Sequence, residues 1–184
     1  HSFPTRRSSD LVQSRNLVSI RLLQAIGVDY AHSYVARFGL PQDRLPHDLT
    51  MALGSADYTP WEMAQAYSTI ANGGFLVEPY VIDEIRDAGG QVVFKAAPKI
   101  ACPQCVEQVL AEASAEKPAA PEIPPAQQAP RLIEPQITWL ISSIMHDVTV
   151  RGTAAAVNQL GRSDLAGKTG TTNDETDAWF NGFQ

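Results

Sequence analysis

Near the C-terminal end, Leu165-Ala166-Gly167-Lys168-Thr169-Gly170-Thr171-Thr172 sets a cation among hydroxyls and glycines. Lysine brings positive charge, threonine a hydroxyl that both donates and accepts, and glycine lets backbone come close to a ligand. The combination suits an anion, and the stretch reads as a short edge strand. Lys168-Thr169-Gly170-Thr171 alone is a weak signal, because these residue types are common in loops. It gains weight from Ser14-Arg15-Asn16, far upstream at the start of an amphipathic stretch. Taken singly, Ser14 reads as a helix cap and Lys168 as a solvated surface charge.

The elements that must position these groups follow from patterning. Val18, Leu22, Ala25 and Ile26 keep helical spacing after Asn16, and Gly27 is a natural stop. A second short helix is predicted from Asp29 to Phe38. Thr59-Pro60-Trp61-Glu62 joins an N-cap, a first-turn proline and a capping-box glutamate, so a helix starts there, buries Met63, Ala66, Tyr67 and Ile70, and ends at Asn72-Gly73-Gly74. Tyr80 to Arg86 and Gln91 to Lys95 read as a hairpin about Asp87-Ala88-Gly89-Gly90. Ile137, Leu140, Ile141, Ile144, Met145 and Val148 predict a long buried helical face. A short helix near Ala154 to Asn158 precedes the lysine strand, and a turn at Asn173 to Thr176 leads to a second strand, Asp177 to Phe183. Trp61, Trp139 and Trp179 are assigned to core or cleft wall.

With 184 residues and 44% apolar content the chain can bury a core. Its net charge of −6 and lack of a basic cluster argue against nucleic acid as a partner. No unbroken apolar run approaches the length needed to cross a bilayer, and His1 to Leu11 lacks the apolar centre of a signal peptide. From Ala96 to Pro130 the chain is rich in Ala, Pro, Glu and Gln, and most of it is expected to be mobile. The organisation read from this is an unassigned or foreign end at 1–11, a helical part with a hairpin at 12–95, the insertion at 96–130, and a long helix with the lysine hairpin at 131–184.

Ser-x-Asn followed by Lys-Thr-Gly-Thr resembles two of the three motifs of penicillin-interacting serine enzymes. Leu53-Gly54-Ser55-Ala56-Asp57-Tyr58-Thr59-Pro60-Trp61-Glu62-Met63, Ala71-Asn72-Gly73-Gly74, Arg151-Gly152-Thr153 and Asp177-Ala178-Trp179-Phe180 extend the resemblance to the transpeptidase domain of bifunctional class A penicillin-binding proteins. The resemblance implies an α+β, β-lactamase/transpeptidase-like fold, present in part and truncated at both ends. It implies a serine D,D-transpeptidase acting on D-Ala-D-Ala stem peptides of peptidoglycan and inhibited by β-lactam antibiotics, on the periplasmic side of the inner membrane. The membrane would be reached only through an N-terminal anchor. Ser14, Asn16 and Lys168 would then be catalytic, and Thr169, Gly170 and Thr171 would bind substrate. No cofactor and no metal are expected. A β-lactamase or carboxypeptidase, or a noncatalytic β-lactam-sensing or scaffold domain, is the competing reading.

The family's nucleophile and base lie on a Ser-x-x-Lys helix ahead of Ser-x-Asn, and residues 1–13 supply none, so this stretch alone is expected to be inactive. Ser114-Ala115-Glu116-Lys117 falls after Ser-x-Asn, runs into Pro118 and reads as a chance match. Cys102-Pro103-Gln104-Cys105 has no suitably spaced histidines for zinc and no βαβ setting for a thioredoxin-like role. In the oxidising compartment that the resemblance implies, a local disulfide is the expectation. Asp174, Glu175 and Asp177 read as a solvated turn.

Overall fold

The computed structural model describes residues 9–105, 123–172 and 177–184. Among the described residues, helices α1 (Asn16–Ile26), α2 (Val28–Ala36), α3 (Pro60–Ala71) and α4 (Pro135–Arg151) accompany strands β1 (Glu84–Arg86), β2 (Val92–Lys95), β3 (Ala166–Thr171) and β4 (Ala178–Phe183). Among the described residues the strands form two antiparallel ribbons, β1 with β2 and β3 with β4. The architecture is α+β. Helix α4 packs on β3, α3 on β4, and α1 on a 3-10 turn at Leu49–Leu53.

Helix α3 starts as the sequence dictates. The Thr59 hydroxyl accepts from the Glu62 N–H, and the Glu62 carboxylate accepts from the Thr59 N–H at 2.8 Å. Two donors that a helix start leaves unpaired are thereby satisfied. The Thr59 N–H, with Arg44 paired alongside, holds the Glu62 carboxyl below the usual carboxylate range. At the other end, the Gly74 carbonyl accepts from the N–H groups of Leu132 and Ile133 at 2.7 and 3.2 Å, which ties the end of α3 to the approach to α4. Phe75 is fully buried beside this junction, with the Arg131 guanidinium 4.3 Å from its ring centre. Gly74 has φ +94°, and a Cβ there would collide with the Ile133 carbonyl oxygen.

Several expected faces shift. On α4, Met145 and Val148 are buried and Ile141 and Ile144 half-buried, but Ile137 and Leu140 are exposed. Thr138 and Thr149 fill buried places instead: the Thr138 hydroxyl donates back to the Glu134 carbonyl, and the Thr149 hydroxyl shares its one proton between the His146 carbonyl of its own helix and the Leu165 carbonyl, so both buried hydroxyls are paired. On α1, Leu23 is the buried leucine while Leu22 and Ile26 are exposed. Trp61, Trp139 and Trp179 are all exposed, so none of them is a core residue; Trp139 is 72% accessible. The segment expected as a short helix near Ala154 is a 3-10 turn, Ala155–Leu160.

The first hairpin forms where Asp87 accepts from the N–H groups of Gly89 and Gln91, but Tyr80 to Asp83 stay outside the strand. Within the 96–130 insertion, residues 106–122, including Ser114 and Lys117, lie outside the described residues, as do residues 173–176, where a turn is expected. The flanks are tied together where Ile100 pairs with Gln128, and Cys102 and Cys105 form a disulfide within the upstream flank. Gly74→Ala should destabilise the fold by about 2 kcal/mol, the scale of overpacking in a filled interior. Urea denaturation reads this directly, and a loss near zero would mean that the α3–α4 junction is loose.

Candidate active site

The site begins with a helix end. Residues 9–12 are helical, and the chain leaves them through an Arg15 N–H to Asp10 carbonyl bond of 2.9 Å and a Ser14 N–H to Leu11 carbonyl bond of 3.0 Å. This pair of bonds is the Schellman arrangement, whose left-handed position is usually glycine. Here it is Ser14, with φ 54°, the only non-glycine residue at positive φ among those described. A β-carbon in that conformation costs about 1–2 kcal/mol. Arg15, not Ser14, caps α1, and no side chain caps it, so the Ser14 hydroxyl is not spent on the helix.

That hydroxyl accepts a hydrogen bond from Lys168 Nζ at 2.8 Å, across 154 residues of sequence. Lys168 Nζ also donates to the Thr169 carbonyl at 2.9 Å and lies 3.5 Å from Thr169 Oγ1. Partial burial pushes the Lys168 amine below the ordinary lysine range. At a given pH a larger fraction is therefore neutral than for a free lysine, and a neutral amine can accept a hydrogen bond from the Ser14 hydroxyl. Lys168 is thus a half-buried cation with a serine partner rather than a solvated charge. Asn16 is exposed at the first position of α1, and no hydrogen bond links it to Ser14 or Lys168 among the described residues.

Strand β3 offers its free side to the same place. The pairing runs Ala166 with Phe183 through Thr171 with Ala178, and continues in the Thr172 N–H to Asp177 carbonyl bond of 3.0 Å. In an antiparallel ladder only alternate residues bond across, so Gly167, Thr169 and Thr171 turn their N–H and C=O groups away from β4. The Leu165 and Thr169 carbonyls, of the same parity, are taken by Thr149 and Lys168, as this phase requires. The Thr171 N–H accordingly faces the open edge beside Lys168. Gly170 is exposed, a Cβ there would meet nothing within 4 Å, and its φ is not positive, so neither packing nor backbone demands glycine.

Sequence patterning missed the residues that join the two halves. Gln13 Nε2 donates to the Arg151 carbonyl at 3.0 Å, and Val12 is fully buried against Val148 and Ala154. A Cβ on Gly152 would lie 2.5 Å from the Val12 carbonyl oxygen, so glycine alone lets the end of α4 reach this loop. Thr153 Oγ1 stands 2.6 Å from Thr169 Oγ1. The buried Thr149 hydroxyl lies 2.8 Å from the Leu165 carbonyl, fixing the entry to β3. Only the Arg151-Gly152-Thr153 triplet gave any signal, as part of a motif set without an assigned role.

The penicillin-binding protein transpeptidase domain model matches residues 4–184. Penicillin-binding protein 1A of Neisseria lactamica is 44% identical over 173 residues, covering 94% of this chain and 19% of the relative. That of Pseudomonas aeruginosa is 42% identical over 199 residues, covering 94% of this chain and 24% of the relative. The crystal structure of penicillin-binding protein 1A from Haemophilus influenzae superposes with a TM-score of 0.79 at 36% identity, over 96% of this chain and 28% of that one. The chain thus spans about a fifth of the length of the curated relatives it matches.

The strain at Ser14 is separable from its hydroxyl. Ser14→Gly and Ser14→Ala both delete the hydroxyl, but only glycine relaxes the left-handed backbone, so the glycine variant should be the more stable by about 1 kcal/mol. Chemical denaturation of the pair checks this. Equal stabilities would show that Ser14 is not held at positive φ.

Proposed function

The chain belongs to the family of penicillin-binding protein transpeptidase domains, and from that premise we propose that it supplies the lysine–serine side of a peptidoglycan D,D-transpeptidase site. In this reading a nucleophilic serine bonds to the carbonyl carbon of the penultimate D-alanine. The bond to the terminal D-alanine nitrogen breaks, and that amine leaves with a proton relayed through Ser14. An amine of a neighbouring strand then displaces the serine oxygen and completes the cross-link. A β-lactam enters by the same first step, its ring amide standing in for the peptide bond. The reaction belongs on the periplasmic side of the bacterial inner membrane, where stem peptides are joined.

Each residue has a part in the proposal. Lys168 attracts the terminal carboxylate and biases the Ser14 proton. Thr169 and Thr171 hydrogen-bond that carboxylate, and the outward Thr171 N–H is one donor of the oxyanion hole. Gly170 keeps the strand edge clear for the acyl chain, and Asn16 holds the substrate amide. The nucleophile and its base come from a Ser-x-x-Lys segment, which residues 1–13 do not contain. The observation that carries the reading is the 2.8 Å contact between Lys168 and Ser14, which draws Ser-x-Asn and Lys-Thr-Gly-Thr together across 154 residues of sequence.

The 184 residues alone should form no covalent adduct with a fluorescent penicillin by gel or intact mass. The same sequence preceded by a Ser-x-x-Lys segment of the kind this family is expected to carry should be labelled stoichiometrically. In that longer chain Lys168→Ala should slow acylation by about 10²–10³, the cost of losing one preorganised electrostatic group, with little change in melting temperature. A stoichiometric adduct on Ser14 of the 184 residues, or parallel losses of rate and melting temperature in Lys168→Ala, would overturn the proposal.

A further inference from the structure

Thr169 carries a demand that its own strand cannot meet. A hydroxyl has one proton, and Thr169 Oγ1 stands 2.6 Å from Thr153 Oγ1, so one of the two donates and the other accepts. If Thr169 donates to Thr153, it has no proton left for an anion on the open edge of β3. If Thr153 donates, the Thr169 proton is free to point outward. A carboxylate accepts only, so its arrival selects the second arrangement, in which Thr153 donates to Thr169 and Thr169 donates to the anion.

Thr153 is well placed to enforce this. It is exposed, yet its backbone is fixed: its N–H reaches the Val12 carbonyl at 3.4 Å, and Gly152 before it is pressed against Val12. Ala154 after it is buried with Val12 and Val148. The same short turn therefore grips the loop that carries Ser14 and touches the strand that carries Lys168. Lys168 Nζ, 3.5 Å from Thr169 Oγ1, disfavours a Thr169 proton aimed at itself and adds to the bias.

We propose that Thr153 is a positioning residue for carboxylate recognition: its hydroxyl donates to Thr169 and turns the Thr169 proton toward the carboxylate of the ligand. Thr153 acts through Thr169 and touches no reacting atom. The inference rests on the reading of Thr169 as a carboxylate ligand, and the tests keep the two apart. The 184-residue chain gives the first readout, the χ1 rotamer of Thr169 from three-bond couplings to its methyl carbon. Wild type and Thr153→Ser should hold one rotamer; Thr153→Val, which keeps the shape and removes the hydroxyl, should average between rotamers. A single unchanged rotamer in Thr153→Val overturns the proposal.

The second readout uses the longer chain with its Ser-x-x-Lys segment, acylated by benzylpenicillin and by its methyl ester, which lacks the free carboxylate. Thr153→Val should lower the acylation rate constant for the acid by about fivefold, the scale of one neutral hydrogen bond, and leave that for the ester within about twofold. Thr153→Ser should restore the acid to the wild-type rate. If Thr169→Val fails to separate acid from ester, the carboxylate reading of Thr169 falls. If Thr169→Val separates them and Thr153→Val does not, the proposal for Thr153 alone is overturned.

Discussion

A serine sits where the backbone asks for glycine. Ser14 closes a helix end in the left-handed region, and the arrangement persists because its surroundings hold it from several sides. Val12 is sealed into the core two residues earlier, Gln13 is bonded to the last turn of α4, and Arg15 is bonded back to Asp10. Strain of this kind survives only where neighbours over-determine it. What it yields is direction: the hydroxyl meets Lys168 instead of capping α1.

The rest of the fold can be understood as the means of keeping that meeting. Helix α4 is the frame, because its C-terminal end touches the Ser14 loop through Gly152 and the lysine strand through Thr149 and Thr153. Helix α3 backs β4 and is locked to the approach to α4 through Gly74, so both strands of the site rest on helices joined to each other. The open edge of β3, with its outward amides, is left for something other than the described protein to fill. Among the described residues no helix is long and apolar enough to cross a membrane.

Much of this was legible in the sequence where the signal is local. The capping box at Thr59 and Glu62, the glycine stop after α3, the Asp87 turn and the lysine strand each rest on a few adjacent residues with a fixed stereochemical preference. What patterning misjudged was which side of a helix is buried. Leu22, Ile26, Ile137 and Leu140 satisfied an apolar period yet are exposed, while Thr138 and Thr149 are buried because their hydroxyls find carbonyls. Periodicity counts apolar residues and cannot see such pairing. The bracing of the site by Gln13, Gly152 and Thr153 was invisible for a related reason: its contacts join residues far apart in the chain, 138 positions in the case of Gln13 and Arg151, and no short window contains them. Ser14 was picked out by motif, but its left-handed backbone was not, since nothing in Ser-Arg-Asn marks a helix end behind it.

Ser14 and Lys168 form a single preorganised unit beside the open edge of β3, and the chemistry of the site depends on that unit staying intact when a ligand arrives. A crystal structure of the chain soaked with the dipeptide D-alanyl-D-alanine tests it most directly. The terminal carboxylate should lie within hydrogen-bond distance of the Thr169 and Thr171 hydroxyls, with Lys168 Nζ still on Ser14 Oγ and Ser14 still at positive φ. A dipeptide bound elsewhere, or Lys168 swung into solvent with Ser14 relaxed to negative φ, would contradict it.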